Sequence, residues 1–190
     1  MMRSTGRSRP SVTSTTASDL WDTLAAEAAA ESPLWGESLR PPHERDLVPV
    51  FSPLCDEQFA LAIETIYEGY LLHYGRPRLF DPADTDTALL LGDYLYAHGL
   101  VRLAGTGSVV AVEDLAELIS LCAQARADGG VGEAEAWVAT AAALGHAELA
   151  DARQALRERG DPVPLADLAE RLAGADPVDR ACAAHALRVG

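Results

Sequence analysis

The residues whose types and spacing could do chemistry lie close together in the chain, between positions 64 and 93. Glu64 and Glu68 are one helical turn apart, so a helix there would place two carboxylates on one face. Carboxylate oxygens are the ligands that Mg²⁺ prefers in proteins. Arg76 and Arg78 flank a proline and could hold a diphosphate. These four residues, with His73 and Asp93, are the candidates for binding a ligand.

Each candidate also has a purely structural interpretation. Glu64 and Glu68 are typical of a solvated stripe on a helix, and Arg76 and Arg78 could pair on the surface with the acids that follow them. Asp93 stands beside a glycine inside an apolar helix, so we expect it to be buried or half-buried and hydrogen-bonded. We expect the structural interpretation in every case, and we assign no residue a catalytic or metal-binding role.

Other residues with reactive or charged side chains give weaker signals. His73 could line a cavity, but a core or boundary histidine is expected. The cluster of Asp81, Asp84 and Asp86 could bind a cation, although acids and a proline at this point are typical of a helix start. The three cysteines are far apart and lack the spacing of a zinc site, so free, buried thiols in a cytoplasmic protein are expected.

Charge and length exclude some functional classes. The 190 residues carry 29 acids and 15 bases, a formal charge of −14, and every base is arginine. Such a surface repels nucleic acid and anionic lipid. No apolar run is long enough to span a bilayer, and the first 16 residues lack the apolar centre of a signal peptide.

The order of apolar periods and of glycine and proline breaks predicts an all-α protein. Residues 1–17 should form a disordered tail, and residues 18–190 a single helical domain. Residues 32–53 hold five prolines and should form a loop or an extended crossing segment. Only residues 109–112 could form a strand. Helices are predicted at about 19–31, 56–74, 83–104, 112–127, 133–144, 147–158, 164–173 and 177–188.

Two of these helices carry a family resemblance. Residues 62–75 read AIETIYEGYLLHYG and follow the order of a helix, roughly AVELIHxASLxHDD, in which the final aspartates begin a metal site. Residues 90–104 read LLGDYLYAHGLVRLA and follow the pattern LxGDYLxAxxxxxLA. In both patterns the chain resembles the polyprenyl diphosphate synthases, but Tyr74 and Gly75 stand where the aspartate pair would be. A second alignment, on Gly75-Arg76-Pro77, places the metal positions on Glu64, Thr65 and Glu68, a degraded ETxxE motif. We prefer the first alignment, because it rests on a longer pattern.

The resemblance continues to about residue 160, but in this part too the chain lacks residues that the family uses for catalysis. Glu133 stands where the family has a lysine that binds diphosphate, and residues 156–160, LRERG, are similar to the family's LREYG. The following acids, Asp167 and Glu170, do not form the second aspartate-rich motif. The pattern is closest to the non-catalytic small subunit of two-component heptaprenyl diphosphate synthases.

The resemblance implies a helical bundle similar to a truncated isoprenoid synthase fold. It lacks the acids that would bind Mg²⁺ and the cations that would bind diphosphate in prenyl transfer. We expect a non-catalytic partner of a prenyl synthase subunit, with a homodimer as the alternative, and no cofactor. Alternatively, the chain could hold an isoprenoid or another apolar ligand, or it could be a residual enzyme that uses Glu64, Glu68 and Asp93 with Mg²⁺. The expected interface consists of apolar and aromatic residues on the two central helices: Tyr67, Tyr70, Leu71, Leu95 and Tyr96.

Overall fold

The computed structural model describes residues 17–129, 131–146 and 148–189. Within these residues the chain forms helices and no strand apart from one isolated bridge, between Leu39 and Phe80, which confirms the predicted all-α class. Residues 109–112, the one strand candidate, lie in the first turn of a helix. The helices are α1 Ala17–Glu31, α2 Pro33–Glu37, α3 Ala60–Tyr74, α4 Thr85–Gly105, α5 Val109–Ala127, α6 Glu133–Ala142, α7 Ala150–Arg159, α8 Val163–Ala173 and α9 Ala175–Val189.

Helix α3 is the centre of the protein. Every residue from Ala62 to Leu72 is buried, so this helix has no solvated face. One apolar cluster, which includes Trp21, Leu91 and Leu95, joins α3 to α1 and α4. A larger cluster joins α3 to α5, α6, α8 and α9. A helix that is buried on all sides needs polar side chains to be paired internally, and this requirement decides how the candidate carboxylates are used.

Helices α3 and α4 form a hairpin whose connecting turn lies where the sequence predicts it, although α3 begins at Ala60 and not at 56, after a 3₁₀ turn at Glu57–Phe59. Gly75 ends α3, and Asp84 caps α4 because its carboxylate accepts the backbone N–H of Thr87 at 2.8 Å. The capping interpretation of the aspartate cluster is therefore confirmed for Asp84. A Cβ at Gly92 would lie 2.6 Å from Nε2 of His73, so the predicted close approach of the two helices at this glycine is also confirmed.

The proline-rich stretch before α3 is partly helical, where the sequence predicted a loop. It contains α2 and two short 3₁₀ turns, at Pro42–Glu44 and Ser52–Leu54. Between them the chain runs beside the segment that follows α3: the backbone N–H of Arg40 donates to the carbonyl of Leu79 at 2.9 Å, and that of Asp46 donates to the carbonyl of Arg78 at 3.1 Å. This pairing brings residues from both sides of α3 together.

The second half of the chain forms helices α6–α9 near the predicted positions. The largest difference is the start of α7, which begins at Ala150 and not at 147. Across the described residues, none of the helices combines the length and the apolar character that a bilayer crossing requires. Of the tail predicted for residues 1–17, residues 1–16 lie outside the described residues. Residue 17 is described, and Ala17 is the first residue of α1.

Candidate functional site

The two candidate glutamates and Arg78 form one buried cluster, which we call the carboxylate–arginine cluster. Glu64 and Glu68 are both 0% exposed and Arg78 is 1% exposed. The expected solvated stripe is therefore wrong, and so is the expected surface pairing of Arg78. The glutamates face inward because α3 is surrounded by other elements, whereas the sequence pattern suggested that one face meets solvent.

Glu64 holds the end of the proline-rich segment. Its Oε1 accepts the backbone N–H groups of three successive residues, Val50, Phe51 and Ser52, each at 2.9 Å. Its Oε2 accepts Nη1 of Arg78 at 2.6 Å. Three convergent N–H donors and a guanidinium satisfy both oxygens, which is what a buried carboxylate requires.

Glu68 holds the segment that returns after α3. Its Oε1 accepts the backbone N–H of Arg78 at 2.8 Å and that of Leu79 at 2.7 Å. Its Oε2 accepts Nε of Arg78 at 3.0 Å. The two glutamates, one turn apart on α3, thus fix the chain on both sides of the helix through the same arginine.

Arg78 is enclosed by aromatic rings and backbone carbonyls. Its guanidinium carbon lies 4.4 Å from the ring centre of Trp21 and 4.8 Å from that of Tyr67. Further donors reach the carbonyl oxygens of Val48 and Glu64, each at 3.3 Å. Burial alone would lower the pKa of Arg78, but the two carboxylates outweigh this effect and raise the pKa. The guanidinium therefore stays charged.

This geometry leaves the glutamates unable to hold a metal ion in the folded chain. Both carboxylates already accept charged and backbone donors, and neither is exposed to solvent. Thr65, which lies between the two glutamates in the second alignment, donates its hydroxyl to the carbonyl of Leu61 at 2.6 Å. Elsewhere in the described part of the chain, no three histidine, cysteine or acidic side chains are grouped as metal ligands.

Asp93 lies away from this cluster and faces solvent. Its side chain is 74% exposed, so the expectation that it is buried or half-buried is wrong. Oδ1 of Asp93 lies 3.2 Å from Nε2 of His73, close enough for an ion pair with a protonated imidazole but without the alignment of a hydrogen bond. His73 itself is a boundary residue, as expected, and its ring stacks on Tyr96 with ring centres 5.1 Å apart.

Arg76 is exposed and is also part of the protein's own framework. Its side chain donates to the carbonyl of Leu187, and its backbone N–H donates to the carbonyl of Arg188 at 2.9 Å, so it ties the turn after α3 to α9. The expected pairing with Asp81 is wrong, because Asp81 pairs with Arg40 at 3.2 Å. The structure thus separates Arg76 from Arg78 instead of joining them in one anion site.

The predicted interface residues lie inside the protein. Tyr67, Tyr70, Leu71 and Leu95 are all 0% exposed, and Tyr96 is partly buried, so this prediction is wrong for a surface on the folded chain. The sequence suggested more apolar residues than one layer of helices could cover, but helices on both sides of α3 cover them.

Tyr67 and Tyr70 belong to an aromatic cluster that sequence reasoning did not foresee. Phe51, Trp137 and His185 pack against them, with ring centres 4.7–6.0 Å apart. The hydroxyl of Tyr67 shares a hydrogen bond of 3.0 Å with Nδ1 of His185. Burial, together with the nearby arginines, lowers the pKa of His185 to about 4, so this histidine is neutral at pH 7.

Glu133, at the position of the family's lysine, accepts hydrogen bonds from two groups. The hydroxyl of Tyr70 and Nε of Arg126 each donate to its Oε1 at 2.7 Å, and Nη2 of Arg126 donates to the tyrosine hydroxyl at 3.0 Å. The sign reversal at Glu133 was visible in the sequence. Its partner was not, although Arg126 at the end of α5 was the nearest cation before it.

The cysteines are free, as predicted, although only Cys122 is buried. Cys55 and Cys182 are half-buried. Burial raises the pKa of Cys55 to about 12 and that of Cys182 to about 11, so neither is a thiolate at neutral pH. The cysteines therefore add no reactive group to the candidate site.

The outer face of α4 is the apolar surface closest to the predicted interface. Leu90 is 59% and Val101 is 70% exposed, and the exposed residues Ala97 and Ala104 continue the same stripe. Asp93 lies among them. We call these five residues, Leu90, Asp93, Ala97, Val101 and Ala104, the α4 stripe.

No protein-family model, no curated protein and no solved structure matches this chain. The resemblance to the polyprenyl diphosphate synthases therefore stays a prediction.

Proposed function

We propose that this chain is a catalytically degenerate relative of the polyprenyl diphosphate synthases and that it acts as a non-catalytic partner of a prenyl diphosphate synthase. The observation that carries the proposal is the carboxylate–arginine cluster. Glu64 and Glu68, the acids that stand at the metal positions in one alignment, both accept donors from Arg78. A side-chain cation thus takes the role that Mg²⁺ would have between two carboxylates.

Two further observations support a loss of catalysis. Glu133 gives the chain an acid where the family binds diphosphate through a lysine, and its contacts are to Tyr70 and Arg126. The aromatic residues that could have lined a cavity for an isoprenoid tail are packed against one another and against Trp137. This packing disfavours both the residual-enzyme and the stand-alone ligand-binding alternatives, because each needs open space beside α3.

The α4 stripe is the surface that we assign to the partner. Its members at 90, 97 and 104 recur every seven residues, and Val101 lies four residues after Ala97, which is the spacing of a seam between two helices. The small side chains of Ala97 and Ala104 allow a partner helix to approach closely. The interface thus involves α4, as the resemblance implies, but through its outer face and not through the buried tyrosines.

Light scattering at micromolar concentration, on the chain alone and mixed with candidate prenyl synthases, tests the proposal. We expect a one-to-one complex with a synthase, or a homodimer when the chain is alone. Leu90→Asp combined with Val101→Asp should abolish the complex, because it places charge in the centre of the interface. The matched control is Val163→Asp with Leu172→Asp, two exposed residues of α8. A chain that stays monomeric with every synthase would contradict the proposal.

A further inference from the structure

A surface groove separates α5 from α7 and has no part in the proposal above. It consists of two adjoining depressions of about 520 and 260 Å³ that share Arg157 in their walls. Along α5 and its C-cap residue Asp128, the lining residues recur at helical spacing from Val110 through Leu121. These 18 residue steps correspond to about 27 Å of helix. The groove therefore follows almost the whole length of α5.

Ion pairs add to apolar packing in holding α7 beside α5, because buried residues of both helices belong to the larger apolar cluster. At the floor, Nη1 of Arg153 donates to Oδ1 of Asp114 at 3.0 Å, and Nη2 donates to the carbonyl of Asp114 at 2.7 Å. Nearer the surface, Arg157 pairs with Glu117. Leu121, Leu149 and Leu156 lie at the base of the two depressions and are only 1–6% exposed. The more accessible apolar lining residues are Val110, Ala125 and Val131.

The groove has an excess of negative charge. Five acids and two arginines line it, and two of those acids are the ones paired with Arg153 and Arg157. The three that remain are Glu113 and Glu158, which line the larger depression, and Asp128, which lines the smaller one. Among the described residues, no cation forms a salt bridge with any of these three. Glu158 accepts a hydrogen bond from the amide of Gln154 at 2.8 Å, but none of the three is neutralised by a cation. A long groove with partly apolar walls and three such carboxylates is complementary to a ligand that is apolar along one side and basic along the other.

We propose that the α5–α7 groove binds a basic amphipathic helix of a partner protein. A helix of about 18 residues matches the length of the groove. Its apolar side chains would pack on the accessible residues Val110, Ala125 and Val131. Its cations would lie opposite Glu113, Glu158 and Asp128. The bridge between Arg157 and Glu117 crosses the groove, so a lysine or arginine of the incoming helix competes with Arg157 for Glu117.

Fluorescence anisotropy on the full chain tests this binding. The probe is a fluorescein-labelled amphipathic peptide of about 18 residues with arginines on its polar face. A second peptide keeps the apolar positions and replaces arginine by glutamate. We expect saturable binding of the basic peptide that weakens with salt, and no binding of the acidic peptide. Binding of both peptides alike, or of neither, would overturn the proposal.

Matched variants separate the groove from the general acidity of the surface. Glu113→Gln with Glu158→Gln should weaken binding of the basic peptide about tenfold. Asp167→Asn with Glu170→Gln makes the same change in charge on exposed positions of α8 and should leave binding unchanged. Arg157→Ala should strengthen binding several-fold because it frees Glu117. An equal loss in the α8 control would show that only net charge attracts the peptide, which would also overturn the proposal.

Discussion

At the scale of single residues, Arg78 joins both glutamates of α3 to the chain segments on either side of that helix. A buried ion pair repays the cost of removing its charges from water only when every remaining donor and acceptor is satisfied. Here all three nitrogens of the guanidinium donate, and both glutamates also accept backbone N–H groups. The cluster therefore fastens two loop segments to α3 at once.

Removal of the arginine should be costly. Arg78→Met keeps much of the side-chain volume but leaves Glu64 and Glu68 buried without a counter-ion. We expect the free energy of unfolding to fall by about 3–5 kcal/mol. Urea denaturation followed by circular dichroism measures this loss. The control is Arg40→Met, which breaks the exposed pair with Asp81 and should cost less than about 1 kcal/mol. Equal effects of the two substitutions would mean that the buried cluster contributes no more than a surface pair.

His185 should make stability depend on pH. Its pKa is about 4 in the folded protein, against an ordinary value of 6.5, so the unfolded chain binds the proton more readily. The histidine therefore costs no stability above pH 6.5, and its cost grows as the pH falls towards 4. The difference corresponds to about 3 kcal/mol. Thermal unfolding between pH 7 and pH 4 measures it, by comparison with His185→Gln.

The glutamine variant isolates this contribution because its amide can still pair with the hydroxyl of Tyr67 but does not titrate. We expect His185→Gln to lose less stability than the natural chain over the same pH range. His146→Gln, at an exposed position, should behave like the natural chain. Parallel pH profiles for all three proteins would show that His185 gains its proton without cost.

At the scale of the elements, the helix pair α3–α4 depends on glycines at the points of contact. A Cβ at Gly69 would lie 2.9 Å from the carbonyl oxygen of Gly92, and a Cβ at Gly99 would lie 2.4 Å from Cγ1 of Ile66. Side chains at these positions would push the helices apart. A glycine inside a helix costs about 1 kcal/mol relative to alanine, and close packing offsets that cost here.

Gly92→Leu should therefore overpack the contact with His73 and lower the free energy of unfolding by about 1–3 kcal/mol. Gly105→Leu is the control, because a Cβ at that glycine, the last residue of α4, meets no atom within 4 Å. The control should be neutral or slightly stabilising. Chemical denaturation of both variants provides the measurement. A neutral Gly92→Leu would show that α4 can move away from α3 without loss.

The sequence predicted the elements better than the surroundings of their side chains. Apolar periods and breaks such as Gly75 located most helices within a few residues, because these signals are local. The environment of Glu64 depends on residues 48–52, which reach it only through the paired segment before α3. Likewise, Asp81 is the acid nearest to Arg78 in the sequence, but in the structure Arg78 pairs with Glu64 and Glu68. The partners of these charged side chains are set by how other elements pack around α3, and a local sequence pattern carries no information about that packing.

At the scale of the whole molecule, the two proposed surfaces differ in chemistry and can be tested independently. The α4 stripe is apolar with one acid, whereas the α5–α7 groove has partly apolar walls and three acids that form no salt bridge among the described residues. With a formal charge of −14, the protein as a whole attracts cations weakly over much of its surface. Binding at one surface therefore has to be distinguished from general attraction to the acidic protein, and a control substitution elsewhere on the chain makes this distinction.

Catalysis by this fold would also depend on the whole molecule, since prenyl transfer needs Mg²⁺ and diphosphate sites that face one another across a cavity. In this chain Glu64 and Glu68 are paired with Arg78, and Glu133 is paired with Arg126 on the other side of Tyr70. We expect the isolated chain to form no product from an allylic diphosphate and isopentenyl diphosphate with Mg²⁺, in an assay with radiolabelled isopentenyl diphosphate. Mg²⁺ alone should also leave the melting temperature unchanged, because the carboxylates have no free position for it. Steady product formation that Glu64→Gln or Glu68→Gln abolishes, in proteins that remain folded, would restore the residual-enzyme alternative and require Arg78 to leave the cluster.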